Sequence, residues 1–274
     1  MSHPGRALAK HRRVKPGSKV SLAEIDPRDT TKLEAEDEAR ARLAKDAVAI
    51  NALQDQLYAE GERALLVILQ GTDTSGKDGT IRHVFSATDP LGMSVTAFKR
   101  PTEDELARDF LWRAHMAVPR RGTIGIYNRS HYEDVLVGKV RGLASEAVIE
   151  QRYDQINAFE RMLVENGTVV LKFMLHISKK EQGERLQERL DDPEKRWKFN
   201  PGDLEDRTLW DEFQSAYETM LERCSTEHAP WYVIPADRKW ARNAAIAGIV
   251  RWTLEEMDPR YPSVDWDPKA YTIT

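Results

Sequence analysis

The chain has 274 residues, a length that allows one sizeable α/β domain with insertions but is short for two independent cores. Hydrophobic residues make up 41% and charged residues 31%, and the net charge of −4 argues against a protein built mainly to coat nucleic acid. With Cys224 as the only cysteine, the sequence excludes an intrachain disulfide framework and a cysteine-based zinc cluster, and it fits a reducing cytoplasm.

The N-terminal segment, residues 1–30, is predicted to be an irregular basic arm. Its first twenty residues contain no acid and lack the apolar core of a signal peptide. Their basic side chains are Arg6, Lys10, Arg12, Arg13, Lys15 and Lys19. A solvated, disordered terminus is the preferred interpretation, and an arm that contacts a polyanion is the alternative.

Strand and helix patterns then alternate along the chain. A helix is predicted from Leu33 to about Glu60, and a continuous apolar run follows at residues 64–69, too short to span a membrane but typical of a strand buried on both faces. Further strands are predicted at 94–98, 123–127, 168–175 and 231–234. Helical patterns cover approximately 79–88, 102–116, 145–165, 179–190, 203–223 and 238–256. This alternation predicts a parallel sheet covered by helices on both faces.

Two of these helices carry a capping-box signature at their first residue. Thr102 is followed by Glu105, and Ser178 is followed by Glu181. We predict a single domain over residues 31–260, with a tail over 261–274.

Residues Gly71 to Lys77 read Gly-Thr-Asp-Thr-Ser-Gly-Lys and match the phosphate-loop pattern G-x-x-x-x-G-K. The loop lies between the most apolar strand and a predicted helix, which is the context that the motif requires. The glycines let backbone N–H groups point inward, the helix adds its positive end, and Lys77 supplies a full charge. A chance glycine loop is the alternative, but strand, spacing, lysine and helix all favour phosphate binding.

Two carboxylates of this segment are unusual. Asp78 occupies the position where Ser or Thr ordinarily binds Mg²⁺, and Thr80 comes two places too late. Asp73 lies inside the loop, where it would repel phosphate unless a cation lay between them. We favour a metal-binding or catalytic role for Asp73, the alternative being a loop aspartate that bonds its own backbone.

A second polar segment, residues 128–134, follows the strand predicted at 123–127. Asn128 replaces the acid expected at the strand end, and Glu133 or Asp134 could supply the missing carboxylate. Arg129 suits a transferring phosphoryl group because a guanidinium can contact two oxygens at once. A helix start decorated with acids is the alternative, and His131 is interpreted as structural.

Basic residues recur at positions that could face the same cleft: Lys99, Arg100, Arg113, Arg120, Arg121, Arg185, Arg189, Lys195, Arg196 and Lys198. Arg185 and Arg189 lie one helical turn apart, but Glu181 and Glu188 could pair with them on an exposed helix. Their assignment to the cleft therefore depends on a mobile lid over the phosphate site, at about 179–215. The sequence does not choose which tryptophan stacks on a nucleobase.

Several linked motifs resemble the polyphosphate kinase 2 family, over a region from about Leu53 to Trp252. They comprise residues 69–80, 98–102, 109–113, 128–135, 178–182, 192–198 and 234–240, together with the pair Arg185 and Arg189. The 128–134 version resembles the subgroup that accepts both AMP and ADP. The resemblance implies a three-layer αβα P-loop kinase with a central parallel five-stranded sheet, a helical lid, Mg²⁺ (or Mn²⁺ as a substitute), and a homodimer or homotetramer.

The family's site residues are carried over by position. The resemblance implies catalytic roles for Asp73, Lys77, Arg129 and Asp134, metal binding by Asp73 and Asp134, and nucleotide binding by Asn128, Arg129, Glu133 and Asp134. It also implies phosphate or polyphosphate binding by Lys77, Lys99, Arg113, Arg185, Arg189 and Lys198. The loop motif and the recurring basic residues add further predicted phosphate-binding positions: Gly71, Thr74, Ser75, Gly76, Asp78, Gly79, Thr80, Arg100, Arg120 and Arg121.

The resulting hypothesis is a cytoplasmic enzyme that moves a phosphoryl group between inorganic polyphosphate and AMP or ADP, and that binds neither membrane nor nucleic acid. One alternative is an ATP-dependent kinase with a small acceptor. The other is a non-catalytic polyanion-binding protein. AMP versus ADP preference, base selectivity and the direction of the reaction stay open.

Overall fold

The computed structural model describes residues 3–273, and within them five strands form a single sheet. The strands are β1 (Ala64–Gln70), β2 (Met93–Ala97), β3 (Ile124–Asn128), β4 (Thr168–His176) and β5 (Trp231–Pro235). Their order across the sheet is β2-β3-β1-β4-β5, and all pairs are parallel. Every residue of β1 is buried, because helices cover both faces of the central strand.

The described part of the chain contains eleven α-helices. They are α1 (Pro4–Arg12), α2 (Glu36–Glu60), α3 (Lys77–Val84), α4 (Glu103–Leu106), α5 (Trp112–Met116), α6 (Glu133–Val140), α7 (Glu146–Glu165), α8 (Lys179–Asp191), α9 (Gly202–Thr208), α10 (Trp210–Cys224) and α11 (Lys239–Met257). Leu66 and Ile68 of β1 pack with α6, α7 and α10, whereas Leu65 and Val67 pack with α1, α2, α3 and α11. The predicted three-layer αβα architecture is therefore confirmed.

The N-terminal segment differs from the irregular arm that the sequence predicts. Helix α1 packs on α11 so closely that a Cβ atom at Gly5 would lie 2.0 Å from the carbonyl oxygen of Gly248. The following residues run along β5, where the N–H of Val14 donates to the carbonyl of Trp231 at 2.9 Å. The arm thus covers the open edge of the sheet, a long-range contact that its basic composition did not reveal.

Three local features also depart from the predicted helices. The pattern at 102–116 forms two short helices, because the Asp109 side chain accepts the N–H of Leu111 at 3.0 Å and interrupts the helix. Helix α6, which is absent from the predicted helices, begins at Glu133, so the polar segment does lead into a helix start with acids in its first turn. Ser178 caps α8 through its side chain, but its backbone N–H donates to Asp237 at 2.8 Å, so its capping box is only half formed.

None of the helices in residues 3–273 combines the length and the apolar composition that crossing a bilayer requires. The phosphate loop follows β1, the polar segment follows β3 and the start of α8 follows β4. All three therefore lie at the carboxyl ends of the parallel strands, where ligands bind in open α/β sheets.

Candidate active site

The phosphate loop joins β1 to α3 with a backbone that favours glycine. Gly71 and Gly76 have φ angles of 148° and 101°, and Thr74 has 64°. A Cβ atom at Gly76 would also lie 1.7 Å from Nη1 of Arg242. Position 76 therefore requires glycine both for its backbone angle and for the space that the guanidinium occupies.

The Lys77 side chain folds back over this loop and is buried. Its Nζ donates to the carbonyl oxygens of Gly71 at 2.7 Å and Thr72 at 3.1 Å. Burial, and then the charge of Arg129, lowers the pKa of Lys77 to about 8, against the opposing effect of Asp73. A phosphate in the loop would give the ammonium group an anion in direct contact, in place of the two carbonyl oxygens.

Arg129 links the phosphate loop to the residues after β3. It has a left-handed φ of 60°, and its N–H donates to the carbonyl of Leu69 at 3.0 Å. Its guanidinium contacts Asp73 and lies 3.4 Å from Oε2 of Glu133. Burial alone would lower the pKa of Arg129, but the two carboxylates raise it overall. The structure thus brings Asp73, Arg129 and Glu133 together, although they come from two motifs distant in sequence.

Asp78 and Asn128, the two departures from the ordinary P-loop pattern, contact each other. Nδ2 of Asn128 donates to Oδ1 of Asp78 at 2.7 Å, because strand pairing sets Asn128 opposite Leu69 at the start of the loop. The ordinary pattern has a hydroxyl after the lysine and an acid at the strand end. Here the acid, Asp78, follows the lysine and the neutral Asn128 ends β3, and the two side chains are in contact.

A cavity of about 530 Å³, which we call the main cavity, opens over the phosphate loop. Its basic lining residues are Lys77, Lys99, Arg129, Arg185, Arg189, Lys195, Lys198 and Lys239. Its acidic lining residues are Asp73, Asp78 and Glu188. Cations therefore outnumber carboxylates by eight to three, and such a surplus suits a ligand with several negative charges.

Arg185 lines the main cavity, but all five of its N–H donors are engaged within the protein. Its Nε donates to Glu181 at 2.8 Å, and its Nη1 donates to the carbonyls of Thr74 at 2.8 Å and Ser75 at 3.3 Å. Its Nη2 donates to both carbonyls of residues 236–237. Arg185, predicted to bind phosphate, thus donates to the backbone of the phosphate loop instead. The spacing of residues along α8 does not indicate this role.

Arg189, one turn further along α8, contacts the following lid segment. Its Nη1 donates to the carbonyl of Lys198 at 3.1 Å and lies 3.2 Å from Oδ2 of Asp203. Burial, reinforced by the charge of Asp73, raises the pKa of Asp203 to about 6, although Arg189 opposes the shift. Sequence reasoning missed Asp203, which has no motif of its own.

The stability of an Asp203→Asn variant relative to the wild type should depend on pH. The folded-state pKa of about 6 lies above the unfolded value of about 4, so the folded protein binds the proton more tightly. This contribution to stability is lost as the pH rises from 4 to 6. The asparagine that replaces Asp203 does not titrate in this range. The free energy of unfolding of the variant minus that of the wild type should therefore be higher at pH 7 than at pH 4. Urea denaturation at both pH values measures this, and a constant difference would contradict it.

Nine predicted site residues do not line the main cavity: Gly71, Ser75, Thr80, Arg100, Arg113, Arg120, Arg121, Glu133 and Asp134. Arg113 instead pairs with Asp134 at 3.3 Å. Arg120 and Arg121 precede β3, whereas the phosphate loop follows β1. Because β1 and β3 are parallel, the two arginines lie at the amino ends of the strands and the loop lies at the carboxyl ends. Ser75 and Thr80, of the same nine residues, have fully buried side chains, and Gly71 and Glu133 line a second, smaller cavity.

A smaller cavity adjoins Asp73 and Arg129, and we call it the aromatic pocket. Trp210, Phe213 and Tyr217 line it from α10, and Glu133 lines it from α6. Burial raises the pKa of Glu133, although Arg129 and Lys77 oppose the shift. The three aromatic residues share one helical face, and that spacing is the signal that could have singled out Trp210.

Beneath the polar segment after β3 lies a buried network around Lys172. Its Nζ contacts Glu160 and donates to the hydroxyl of Tyr132 at 2.8 Å and the carbonyl of Cys224 at 2.7 Å. His131 is fully buried and lies 3.5 Å from Glu160. His131 lines neither the main cavity nor the aromatic pocket, as expected of a structural residue.

Known proteins resemble this chain in sequence and in fold. Residues 32–262 match the family model "Polyphosphate kinase 2 (PPK2)". The AMP/ADP-polyphosphate phosphotransferase of Meiothermus ruber is 53% identical over 91% of this chain and 94% of the relative. The ADP-polyphosphate phosphotransferase of Rhodopseudomonas palustris is 40% identical over 91% of each chain. The crystal structure of polyphosphate kinase 2 from Arthrobacter aurescens aligns with a TM-score of 0.93 and 44% identity, covering 96% of this chain and 94% of that one. This chain belongs to the polyphosphate kinase 2 family.

Proposed function

We propose that the protein is a polyphosphate:nucleotide phosphotransferase that moves a phosphoryl group between inorganic polyphosphate and AMP or ADP. The observation that carries this proposal is the main cavity, in which eight basic side chains surround a phosphate loop. A nucleoside triphosphate needs fewer cations than this, whereas a phosphate polymer occupies an extended basic surface. The names of the relatives from Meiothermus ruber and Rhodopseudomonas palustris support the same reaction.

The chemistry asks for positioning and charge neutralisation. An oxygen of the acceptor phosphate attacks the terminal phosphorus of polyphosphate in line, forming one P–O bond as the bond to the shortened chain breaks. Lys77 would neutralise the phosphate in the loop once it leaves the carbonyls of Gly71 and Thr72. Arg129, fixed by Asp73 and Glu133, would hold the transferring group.

The residues at the loop fit Mg²⁺, or Mn²⁺ in its place. Among residues 3–273 no group of three or more His, Cys, Asp or Glu could hold a metal ion alone. Mg²⁺ ordinarily takes one or two carboxylates and shares the substrate phosphates, and Asp73 and Asp78 can supply these carboxylates. The cation would neutralise charge on the phosphates. Asp134, the other predicted ligand, does not line the main cavity, so we assign Asp78 with Asn128 in its place.

Substitutions at residues 78 and 128 test this assignment. Asp78→Ser alone should weaken Mn²⁺ binding to the ADP complex by about tenfold, because a carboxylate is lost from the site. Asn128→Asp alone places two carboxylates in contact, whereas the double variant restores one carboxylate and one hydroxyl in the ordinary order. The double variant should therefore bind Mn²⁺ more tightly than Asp78→Ser. Electron paramagnetic resonance of free Mn²⁺ measures this without turnover, and equal binding by all variants would contradict it.

We propose that the nucleobase binds at the mouth of the aromatic pocket, because the pocket itself has a volume of only about 30 Å³. Trp210, the least buried of its three aromatic residues, can stack on a base, and Glu133 can accept or donate a hydrogen bond at the base edge. The pocket meets the main cavity at Asp73 and Arg129. An acceptor bound there would direct its phosphate toward the loop.

A panel of acceptors with polyphosphate as the only donor tests the proposed function. AMP, ADP and other nucleoside phosphates would each be incubated with Mg²⁺ and long-chain polyphosphate, and products separated by anion-exchange chromatography. Phosphorylation of AMP or ADP is expected. If no nucleotide is phosphorylated while ATP phosphorylates a small metabolite, the ordinary kinase alternative holds instead.

We also propose a cytoplasmic location and a homodimer or homotetramer. The single buried cysteine fits a reducing compartment, and membership of the family is the basis for the oligomer. Light scattering of the purified protein measures the oligomeric state directly, and a monomer at assay concentration would refute the second proposal.

A further inference from the structure

A third cavity, of about 340 Å³, lies behind the phosphate loop, and we call it the rear cavity. Residues of α2, α3 and α11 line it, together with Arg185. Its basic lining residues are Arg40, His83, Arg185, Lys239 and Arg242. The described residues that line it include no aspartate or glutamate. The main cavity has carboxylates that offset its cations, so the rear cavity has the more uniform positive lining.

Arg242 and Arg185 are the buried cations of the rear cavity, and Arg242 is the one without a carboxylate partner. Its side chain donates to the carbonyl of Ser75 at 3.1 Å and to the side-chain oxygen of Asn243 at 2.9 Å, and only 3% of the residue is exposed. It forms no ion pair with any residue of the described chain. Burial, and then the charge of Arg185, lowers the pKa of Arg242 to about 9. A buried guanidinium without a carboxylate is unfavourable unless an anion compensates it.

The rear cavity adjoins the main cavity. Thr74, Gly76, Gly79, Arg185 and Lys239 line both. The guanidinium of Arg242 fills the space beside Gly76 and Gly79, so it separates the two cavities at the phosphate loop. Lys239 is exposed and lines both cavities, so an anion too long for the main cavity can continue past Lys239 into the rear cavity.

We propose that the rear cavity is a second phosphate-oxyanion subsite, which binds the distal part of a polyphosphate chain while the reacting end occupies the main cavity. This inference rests on the proposed function. It predicts that KM depends on the length of the polyphosphate, because a short polyphosphate would occupy only the main cavity. Arg242 would then be compensated by the substrate rather than by the protein.

His83 offers a test that leaves the main cavity unchanged. It lines the rear cavity but not the main one, and it is exposed, with Nδ1 2.6 Å from the carbonyl of Gly79 in the same helix. His83→Glu places a negative charge in the rear cavity. His83→Gln is the matched control, since it has the same length and no charge.

With long-chain polyphosphate, His83→Glu should raise KM about fivefold over His83→Gln, with kcat unchanged, because the new carboxylate repels the distal phosphates. With tripolyphosphate the two variants should have the same KM. Equal KM values for both variants at both lengths would overturn the proposal. So would an equal rise at both lengths, which would indicate a long-range effect on the main cavity.

Thermal stabilisation distinguishes a bound chain from free phosphate. Long-chain polyphosphate should raise the Tm of His83→Gln more than that of His83→Glu, whereas inorganic phosphate alone should not separate them. If inorganic phosphate separates the variants and chain length has no effect, the site binds free phosphate and the polyphosphate assignment is wrong. Failure of the proposed function would look different, since the wild type would then transfer no phosphoryl group from polyphosphate of any length.

Discussion

Replacing Lys172 with methionine should lower the free energy of unfolding by about 3–5 kcal/mol, because it leaves the carboxylate of Glu160 buried without its cation. Burial alone would raise the pKa of Glu160, but Lys172 and His131 lower it overall, so the carboxylate is charged in the folded wild type. The hydroxyl of Tyr132 would also lose the donor at 2.8 Å that helps to fix it. Urea denaturation of the purified variant measures the loss.

Two further variants separate the buried pair from general effects of substitution. Lys172→Met combined with Glu160→Leu should recover most of the lost stability, because no unpaired charge remains in the core. Lys45→Met removes a lysine from the exposed surface of α2 and should change stability by less than about 0.5 kcal/mol. A loss below about 1 kcal/mol in Lys172→Met would contradict the importance of this network.

Asp73→Asn should reduce turnover by about 10²–10³-fold while leaving the affinity for polyphosphate almost unchanged. Asp73 contacts Arg129, and the charges of Arg129 and Lys77 hold its pKa below the usual range despite burial. The carboxamide keeps the shape of the side chain but loses the charge that orients Arg129 and that a cation needs. Steady-state kinetics with ADP as acceptor and equilibrium binding of polyphosphate without acceptor measure the two quantities separately.

Asp104→Asn provides the matched control for this experiment. Asp104 is an exposed residue at the start of α4, paired with Arg108, and its replacement removes the same charge at a position that lines neither the main cavity nor the aromatic pocket. Its turnover should equal that of the wild type. Equal losses of turnover and polyphosphate affinity in Asp73→Asn, or wild-type turnover, would refute the assigned role.

The sheet could be predicted from the sequence because its strands are short, apolar and regularly separated by helical patterns. The run at 64–69 has no polar residue, so only a position buried on both faces suits it. The N-terminal arm could not be predicted in the same way. Its fixed course depends on contacts such as Arg12 with Asp29 at 2.7 Å and Val14 with Trp231, and pairings of that kind leave no local pattern.

The candidate site was predictable where its residues share a motif, as Asp73 and Lys77 do. The local sequence does not show which hydrogen-bond acceptors a basic side chain contacts. Arg185 looks like a ligand-binding residue by its spacing, yet the structure engages all its donors. Arg242 has no motif, and its importance follows only from burial against the phosphate loop. Asp78 and Asn128 each look like an anomaly until their contact is known.

The central claim is that polyphosphate is the phosphoryl donor, and formation of ATP from ADP, Mg²⁺ and long-chain polyphosphate tests it most directly. The mixture contains no ATP at the start, and luciferase luminescence reports the product. The wild type should form ATP, and Lys77→Ala, shown by circular dichroism to be folded, should form almost none. Absence of ATP with the folded wild type, or equal ATP formation by Lys77→Ala, would contradict the proposed function.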